Sequence, residues 1–242
     1  QLSTSYVGFN VTKAPLDNKL VRQAINYALD VDAVVDYIYT GRAVKLSTPL
    51  PPRVWGYNPD VEGYYYDPAK AKELLAEAGY PNGFKTTIYS SSGTVQKAVA
   101  SVIQAQLKEI GIDVEIQSLE TATFNAGVAP GGTYPIAVDG WGGHTIGPDN
   151  ALRSPFHSDG NINRSNIKDK KVDEMIDAAL STSNYEERAK IYAELQQYLI
   201  NNCNWIPLAI EQINVGMKAG LQGYELPLGL HHHLRNIYIV EK

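Results

Sequence analysis

The chain has 242 residues, enough to bury a sizeable hydrophobic core. It carries 21 Lys and Arg residues against 26 Asp and Glu residues, a formal charge of −5, and it has no basic block. This charge excludes nucleic acid as an expected partner. The single cysteine, Cys203, excludes an intrachain disulfide, and we expect it to be a buried packing residue. No apolar run approaches the roughly 18 residues that span a bilayer.

The first third of the chain predicts one strand and three helices. Apolar residues recur at helical spacing, and prolines mark an irregular segment. In chain order we predict a strand over 6–11, a helix capped by Asp17 over 17–29, a helix capped by Asp30 over 30–41, an ordered surface excursion over 48–59 and a helix capped by Asp67 over 67–79.

The remainder of the chain begins with a β–α–β pattern. We predict strands over 84–89, 112–116, 136–138, 205–210 and 237–240, helices over 93–110, 122–128, 172–180 and 185–201, and a polar, turn-rich segment over 153–166. The charged residues of 168–174 and 186–190 are expected to be solvated surface. Strands that alternate with helices predict an α/β fold with a mixed sheet covered by helices.

A glycine-rich stretch from Val138 to Asn150 follows the strand over 136–138. Glycines allow a tight path and a close approach of backbone to another group, while Trp141 offers a flat apolar face and one N–H donor. The stretch has two interpretations, a ligand loop at the carboxyl end of a strand and a turn around a core tryptophan.

Catalytic signatures are absent from the sequence. It contains no Gly-x-Ser-x-Gly, no His-Glu-x-x-His and no phosphate-binding glycine loop followed by Lys. Carboxylates such as Asp149 and Glu211 are present, but nothing in the sequence pairs them as an acid–base set. We therefore expect neither an enzyme nor a cofactor.

Histidines do not predict a metal site either. Consecutive residues of an extended segment point to alternate faces, so the residues of His231-His232-His233 do not converge easily on one ion. We expect these residues and His157 to have structural roles.

The order of several motifs resembles one known family. The motifs are Gly8-Phe9-Asn10, Val21-Arg22-Gln23-Ala24-Ile25-Asn26-Tyr27-Ala28-Leu29-Asp30, Tyr66-Asp67-Pro68, Leu74-Leu75-Ala76-Glu77-Ala78-Gly79-Tyr80, Gln106-Leu107-Lys108-Glu109-Ile110-Gly111, Gly140-Trp141, Pro148-Asp149-Asn150 and Pro227-Leu228-Gly229. Together they resemble the C-terminal lobe of the extracytoplasmic substrate-binding proteins of ABC importers, in the dipeptide, oligopeptide and nickel group known as solute-binding protein family 5.

The resemblance implies one lobe of a two-lobed periplasmic-binding-protein-like fold. Residues 1–219 would form the ligand-binding lobe, with 1–16 as a hinge-proximal first strand, and the tail over 220–242 would return to an N-terminal lobe upstream. The first residues lack the basic and apolar parts of a signal peptide, as expected of a fragment. The expected location is the periplasm or the outer face of the cytoplasmic membrane, with or without a lipid anchor.

The function implied is capture of a small ligand between two lobes and delivery to a membrane permease, without chemistry. The expected ligand contacts in this chain are Gly140, Trp141, Gly142, Gly143, His144, Ser90 and Ser91. The rival interpretation from another class is an interaction or adhesion domain that kept the fold.

The resemblance leaves the ligand open. Dipeptide-binding members are expected to hold the peptide amine with an Asp where this sequence has His144, and the loop Ser90-Ser91-Ser92-Gly93 lacks their expected Arg. Three ligands remain: an oligopeptide held through its backbone, a metal chelate or haem-like group that uses His144, and a neutral sugar-like or opine-like solute stacked on Trp141. An oligopeptide or peptide-like solute is the favoured ligand.

Overall fold

The computed structural model of the chain describes residues 3–142, 147–226 and 234–240. Its strands are β1 (Ser3–Phe9), β2 (Ala43–Lys45), β3 (Lys85–Ser91), β4 (Asp113–Leu119), β5 (Ile136–Gly142), β6 (Trp205–Glu211), β7 (Leu221–Gln222) and β8 (Tyr238–Ile239). Its helices are α1 (Lys19–Ala28), α2 (Val31–Tyr39), α3 (Pro68–Glu77), α4 (Thr94–Glu109), α5 (Thr121–Val128), α6 (Pro148–Phe156), α7 (Lys170–Ser181) and α8 (Tyr185–Asn202). The α/β class with a mixed, helix-covered sheet is confirmed.

Six strands form the main sheet in the order β2-β6-β1-β5-β3-β4. Strand β3 pairs in parallel with β4 and with β5, whereas β1 pairs antiparallel with β5 and β6. It follows that β3, β4, β5 and β6 run in one direction and β1 runs against them. The carboxyl ends of four strands and the start of β1 therefore share one edge of the sheet.

Alternation along the strands places apolar side chains on both faces of the sheet. Val7 and Val138 belong to a buried cluster shared with α1, α2, α3 and α4. On the other face, Tyr6 and Trp205 pack with α6, α7 and α8, and their rings stack at 3.6 Å and 11°. Adjacent residues such as Tyr6 and Val7 thus serve opposite cores, as a two-residue period requires.

Two of the three predicted helix caps are confirmed and one is wrong. Asp30 accepts a hydrogen bond from the Ala33 N–H, and Asp67 accepts one from the Lys70 N–H. The first helix begins one residue later than predicted, so its cap is Asn18 rather than Asp17. Asn18 suits this position because its side-chain oxygen accepts from a backbone N–H of the first turn.

The predicted start of the glycine-rich loop is wrong. Strand β5 does not end at Val138 but continues to Gly142, because β1 supplies partners along its whole length. Gly140 lies opposite Ser5, and Gly142 lies opposite Ser3. The first five residues of the expected loop, Val138 to Gly142, are therefore strand.

The turn-rich structure predicted for 153–166 is also wrong in its first part. Helix α6 covers Pro148–Phe156 and buries Leu152 and Phe156 completely. Pro148 lies in the first turn, where a missing N–H costs nothing, and Pro155 lies in the last turn. The apolar face of α6 is short, and the polar residues on its other face make the helical spacing hard to recognise in the sequence.

The segment over 48–59 is irregular, as its prolines predict, but it is not only a surface excursion. Leu50 and Val54 are buried, and the buried Thr48 hydroxyl donates to Gln196 Oε1 of α8 at 2.9 Å. Cys203 is buried as predicted and ends α8 in the left-handed conformation.

The last described residues form a separate two-stranded sheet. Leu221 of β7 pairs with Ile239 of β8, and Gln222 pairs with Tyr238. Leu234 is 66% exposed and Ile239 is 71% exposed, so this ribbon leaves large apolar side chains in water. No helix among the described residues has the length and the apolar character that a membrane crossing requires.

Candidate ligand-binding site

The edge where β3, β4, β5 and β6 end carries the glycines and the tryptophan singled out in the sequence. Helix α4 starts directly after β3, and α6 starts shortly after β5. Both helices have a glycine as N-cap and therefore no side-chain cap. Strand ends and helix starts that meet at one edge of a sheet are the usual position of a ligand site in α/β folds.

Trp141 is half-buried and is the next-to-last residue of β5. Its indole Nε1–H donates to the Ala151 carbonyl of α6 at 3.2 Å, and its ring packs against the cluster of α6, α7 and α8. The indole N–H is therefore already used within the chain. What remains for a ligand is part of the apolar ring face.

Gly140 is exposed, and it lies on the opposite face of β5 from Trp141. A Cβ atom at position 140 would meet only the Thr4 carbonyl oxygen, at 3.6 Å, whereas one at Gly142 would lie 2.9 Å from Ser3 Oγ. The glycine at 142 thus permits the close pairing with β1. The glycine at 140 leaves that face of the strand unobstructed, and its N–H donates to Asp139 Oδ1 at 2.8 Å.

Ser90 and Ser91 end β3, the strand next to β5. Ser90 is paired with Val138, two residues before Gly140. The Ser90 side chain is fully buried and its Oγ lies 3.1 Å from Ser118 Oγ, while Ser91 is half-buried. The two predicted segments are therefore neighbours in the sheet, and Ser91 is the more accessible of the two serines.

The other two predicted contacts, Gly143 and His144, lie outside the described residues, as do His231, His232 and His233. Their expected roles stay predictions.

A buried ionic cluster beside this edge was not predicted from the sequence. Asp139 of β5 forms an ion pair with Arg164 and accepts a hydrogen bond from the Tyr6 hydroxyl at 3.2 Å. Burial, together with the Asp139 carboxylate, raises the pKa of the Tyr6 phenol well above its usual range. Burial alone lowers the pKa of the Arg164 guanidinium, but the charge and hydrogen bond of Asp139 outweigh it and the pKa is raised. The cluster ties β1 and β5 to the segment before α7.

A second ionic cluster holds the start of α6. Arg188 Nη2 lies 2.6 Å from each carboxylate oxygen of Asp149, and Tyr192 donates its hydroxyl to the same group. Arg188 also lies over the Trp55 ring, 5.6 Å from its centroid. Hydrogen bonds to Asp149 and Tyr192 raise the pKa of Arg188, so it stays charged.

Both carboxylates near the edge are therefore neutralised by arginines. Asp139 is 11% exposed as a side chain and Asp149 is 36% exposed. Neither offers a free negative charge to a ligand amine. Cavities of about 320, 530 and 570 Å³ open on the described surface away from this edge.

The fold agrees with comparisons to known proteins. The family described as bacterial extracellular solute-binding proteins, family 5 Middle, matches residues 1–163. The chain belongs to this family of solute-binding proteins.

Two curated relatives are similar over most of this chain. Heme-binding protein A of Haemophilus influenzae is 38% identical over 237 residues, which cover 94% of this chain and 43% of that protein. Glutathione-binding protein GsiB of Salmonella choleraesuis is 36% identical over 229 residues, which cover 90% of this chain and 44% of that protein. The chain spans less than half the length of these relatives, and both are named as binding proteins.

A solved structure shares the fold. The ABC transporter-associated periplasmic binding protein DppA from Helicobacter pylori, in complex with the peptide STSA, superimposes with a TM-score of 0.87 and 33% identity. The match covers 98% of this chain and 47% of that one. The architecture is thus that of one part of a periplasmic binding protein.

Proposed function

We propose that the chain is the ligand-binding lobe of the solute receptor of an ABC importer, and that the solute is a peptide or a peptide-like molecule. Family membership supports the receptor, and the edge that contains Gly140, Trp141 and Ser91 supports the position of the site. Binding between two lobes would remove the solute from water, and the closed form would be recognised by a membrane permease outside the cytoplasm.

The main observation in favour of a peptide is the unobstructed strand face at Gly140 combined with neutralised carboxylates. An extended peptide held through its own backbone needs N–H and C=O partners and an apolar face, but no fixed charge for its ends. Asp139 and Asp149 are both engaged by arginines, so neither competes as an amine anchor. The site has the features of a binding surface, and we assign it no catalytic step.

The domain division is part of the same proposal. Residues 1–219 form the lobe, and the tail over 220–242 packs on an N-terminal lobe supplied upstream. The exposed apolar side chains of the β7–β8 ribbon support this, because such residues are normally covered.

The test uses the full-length protein with its upstream sequence. Calorimetry and the melting temperature measure the binding of a tetrapeptide library, a hexapeptide library, haemin, glutathione and a panel of neutral sugars. A ligand that binds only the folded state raises the melting temperature. Peptides are expected to shift the melting temperature and to lose most of their affinity in Trp141→Ala. A matched variant, Tyr37→Ala on α2, removes a ring that is 78% exposed away from this edge and should bind normally.

Haemin is an alternative with an observation of its own, the relative named heme-binding protein A. If haemin binds tightly, His144→Ala removes this binding and no peptide binds, the ligand is a haem-like group and not a peptide. No response to any member of the panel would contradict the receptor itself and would favour an interaction domain.

A further inference from the structure

One side of helix α8 lies next to the proposed ligand edge. Tyr185, Arg188 and Tyr192 are spaced to share that side of the helix. Arg188 and Tyr192 both bind the carboxylate of Asp149, which is in the first turn of α6. Because α6 starts shortly after β5 ends, this side of α8 is beside the end of β5, on the face of the sheet that Trp141 occupies.

The Arg188 guanidinium uses one of its two terminal nitrogens within the chain. Nη2 lies 2.6 Å from each carboxylate oxygen of Asp149, whereas Nη1 makes no hydrogen bond to any residue that the structure describes. Nε of the same group is buried, but Nη1 is not, and the side chain as a whole is 23% exposed. Arg188 therefore holds a charged, accessible N–H donor in a fixed position.

A neutral acceptor suits this donor better than an anion. The Asp149 carboxylate already balances the charge of Arg188, and Glu186 and Glu187 precede it in the first turn of α8. A carboxylate from a ligand would add a further negative charge to these surroundings. A peptide carbonyl oxygen accepts a strong hydrogen bond from a charged donor without adding charge.

An aromatic ring lies beside the donor. Tyr185 is 70% exposed, yet Trp55 holds its ring in an edge contact, with the centroids 5.2 Å apart and the planes at 79°. The Trp55 centroid is also 5.6 Å from the Arg188 guanidinium, so one indole fixes both groups. Tyr37, which is 78% exposed, has no ring contact among the described residues. The Tyr185 ring therefore offers a positioned apolar surface next to an accessible N–H donor.

We propose that Arg188 and Tyr185 determine which peptides the receptor binds. Arg188 Nη1 donates a hydrogen bond to a backbone carbonyl oxygen of the peptide, and the Tyr185 ring packs against the apolar or aromatic side chain next to that carbonyl. Trp55 is a positioning residue, because it holds both groups in place. This role rests on the proposed function, and it narrows the solute to peptides with an apolar or aromatic residue at one position.

The experiment measures Arg188→Lys and Tyr185→Ala in the full-length protein. Calorimetry first identifies the tetrapeptide of the library that binds the parent most tightly, and each of its residues is then replaced by alanine. One apolar or aromatic residue should contribute about fivefold to the affinity for the parent. Tyr185→Ala should abolish this contribution and preserve those of the other residues.

Arg188→Lys retains one nitrogen for the Asp149 carboxylate and lacks the second nitrogen. The affinity for every peptide of the alanine series should fall by about fivefold or more, since a hydrogen bond from a charged donor is lost. The melting temperature of the ligand-free protein shows whether the fold persists. If Arg188→Lys does not fold, the Tyr185→Ala series decides, because it changes an exposed ring.

Arg153→Lys and Tyr37→Ala are the matched controls. Arg153 pairs with Asp177 at an exposed position, and Tyr37 is exposed on α2, so both variants should bind peptides as the parent does. Unchanged affinity in Arg188→Lys, or an apolar contribution that survives in Tyr185→Ala, would overturn the role of these residues and leave the proposed function intact. If the parent itself binds no peptide, the proposed function is contradicted as well.

Discussion

Arg188 and Asp149 are joined through a single nitrogen, Nη2, which lies 2.6 Å from both carboxylate oxygens. Asp149 is in the first turn of α6 and Arg188 is in α8, so the pair fixes the start of α6 just after the proposed ligand edge. Trp55 covers the guanidinium and extends the same contact to the irregular segment over 48–59.

Replacement of Arg188 should destabilise the chain. Arg188→Met leaves Asp149 and the Tyr192 hydroxyl without their cation, which should lower the free energy of unfolding by about 1 to 2 kcal/mol. The loss is limited because the Asp149 side chain is 36% exposed. Urea denaturation measures it.

Arg153→Met is the matched control for Arg188→Met. Its ion pair with Asp177 joins side chains that are 41% and 60% exposed, so the change should stay within about 0.5 kcal/mol. Equal effects of the two substitutions would contradict a structural role specific to the Arg188 pair.

Tyr6→Phe should alter the response of stability to alkaline pH. At neutral pH it removes one hydrogen bond to Asp139 and should cost about 0.5 to 1.5 kcal/mol, since the ring stays stacked on Trp205. The pKa of Tyr6 is raised in the folded chain. The neutral phenol therefore stabilises the fold fully below the unfolded pKa of about 10, and this contribution is lost as the pH rises above it.

Urea denaturation between neutral pH and pH values above the unfolded tyrosine pKa tests this. The stability of the parent should fall more steeply than that of Tyr6→Phe, by up to about 1.4 kcal/mol per pH unit. Tyr37→Phe, which changes an exposed phenol on α2, should follow the parent. Parallel profiles of the parent and Tyr6→Phe would show that Tyr6 ionises alike in the folded and unfolded chain.

The fold class was predictable because most elements carry their own pattern. The apolar stripe of α1 and the Asp-Pro start of α3 are local features, and the structure has both elements close to the predicted positions. The end of β5 is not local. It depends on β1, more than a hundred residues earlier in the chain, which pairs with Gly140 and Gly142 and converts a glycine-rich segment into strand.

The ionic clusters were unpredictable for the same reason. Arg188 is 39 residues from Asp149, and Arg164 is 25 residues from Asp139. No spacing rule relates them, since each pair depends on how separate elements pack. For this reason the sequence does not show that neither carboxylate is free for a ligand, whereas the structure does.

The β7–β8 ribbon should be susceptible to proteolysis in this chain alone. Its apolar side chains are exposed, and the hydrogen bonds of its backbone pair only two residues of each strand. Limited chymotrypsin digestion, followed by mass spectrometry, should first cut near Leu234 and Tyr238. In the full-length protein the same bonds should be protected if the tail packs on an upstream lobe.

Tyr185 provides the internal comparison for this digestion. It is 70% exposed but lies at the start of α8, a helix packed in the core, where backbone hydrogen bonds oppose cleavage. Cleavage at Tyr185 before the ribbon, or equal cleavage of the ribbon in both proteins, would contradict the proposed domain division.

Gly140→Ala separates ligand binding from stability at the proposed site. Its new methyl group meets only the Thr4 carbonyl oxygen at 3.6 Å, and the φ of Gly140 is not positive, so stability should stay within about 0.5 kcal/mol of the parent.

The methyl group would occupy the exposed strip of β5 where a peptide backbone is proposed to lie. Calorimetry on the full-length protein should show peptide affinity reduced by about five- to tenfold, since the methyl group would displace the peptide from the strand face and cost about one hydrogen bond, roughly 1 to 1.4 kcal/mol. Gly216→Ala, where the added methyl group meets nothing within 4 Å, is the control and should leave the affinity unchanged. Unchanged affinity in Gly140→Ala would move the ligand away from β5 and with it the position of the site.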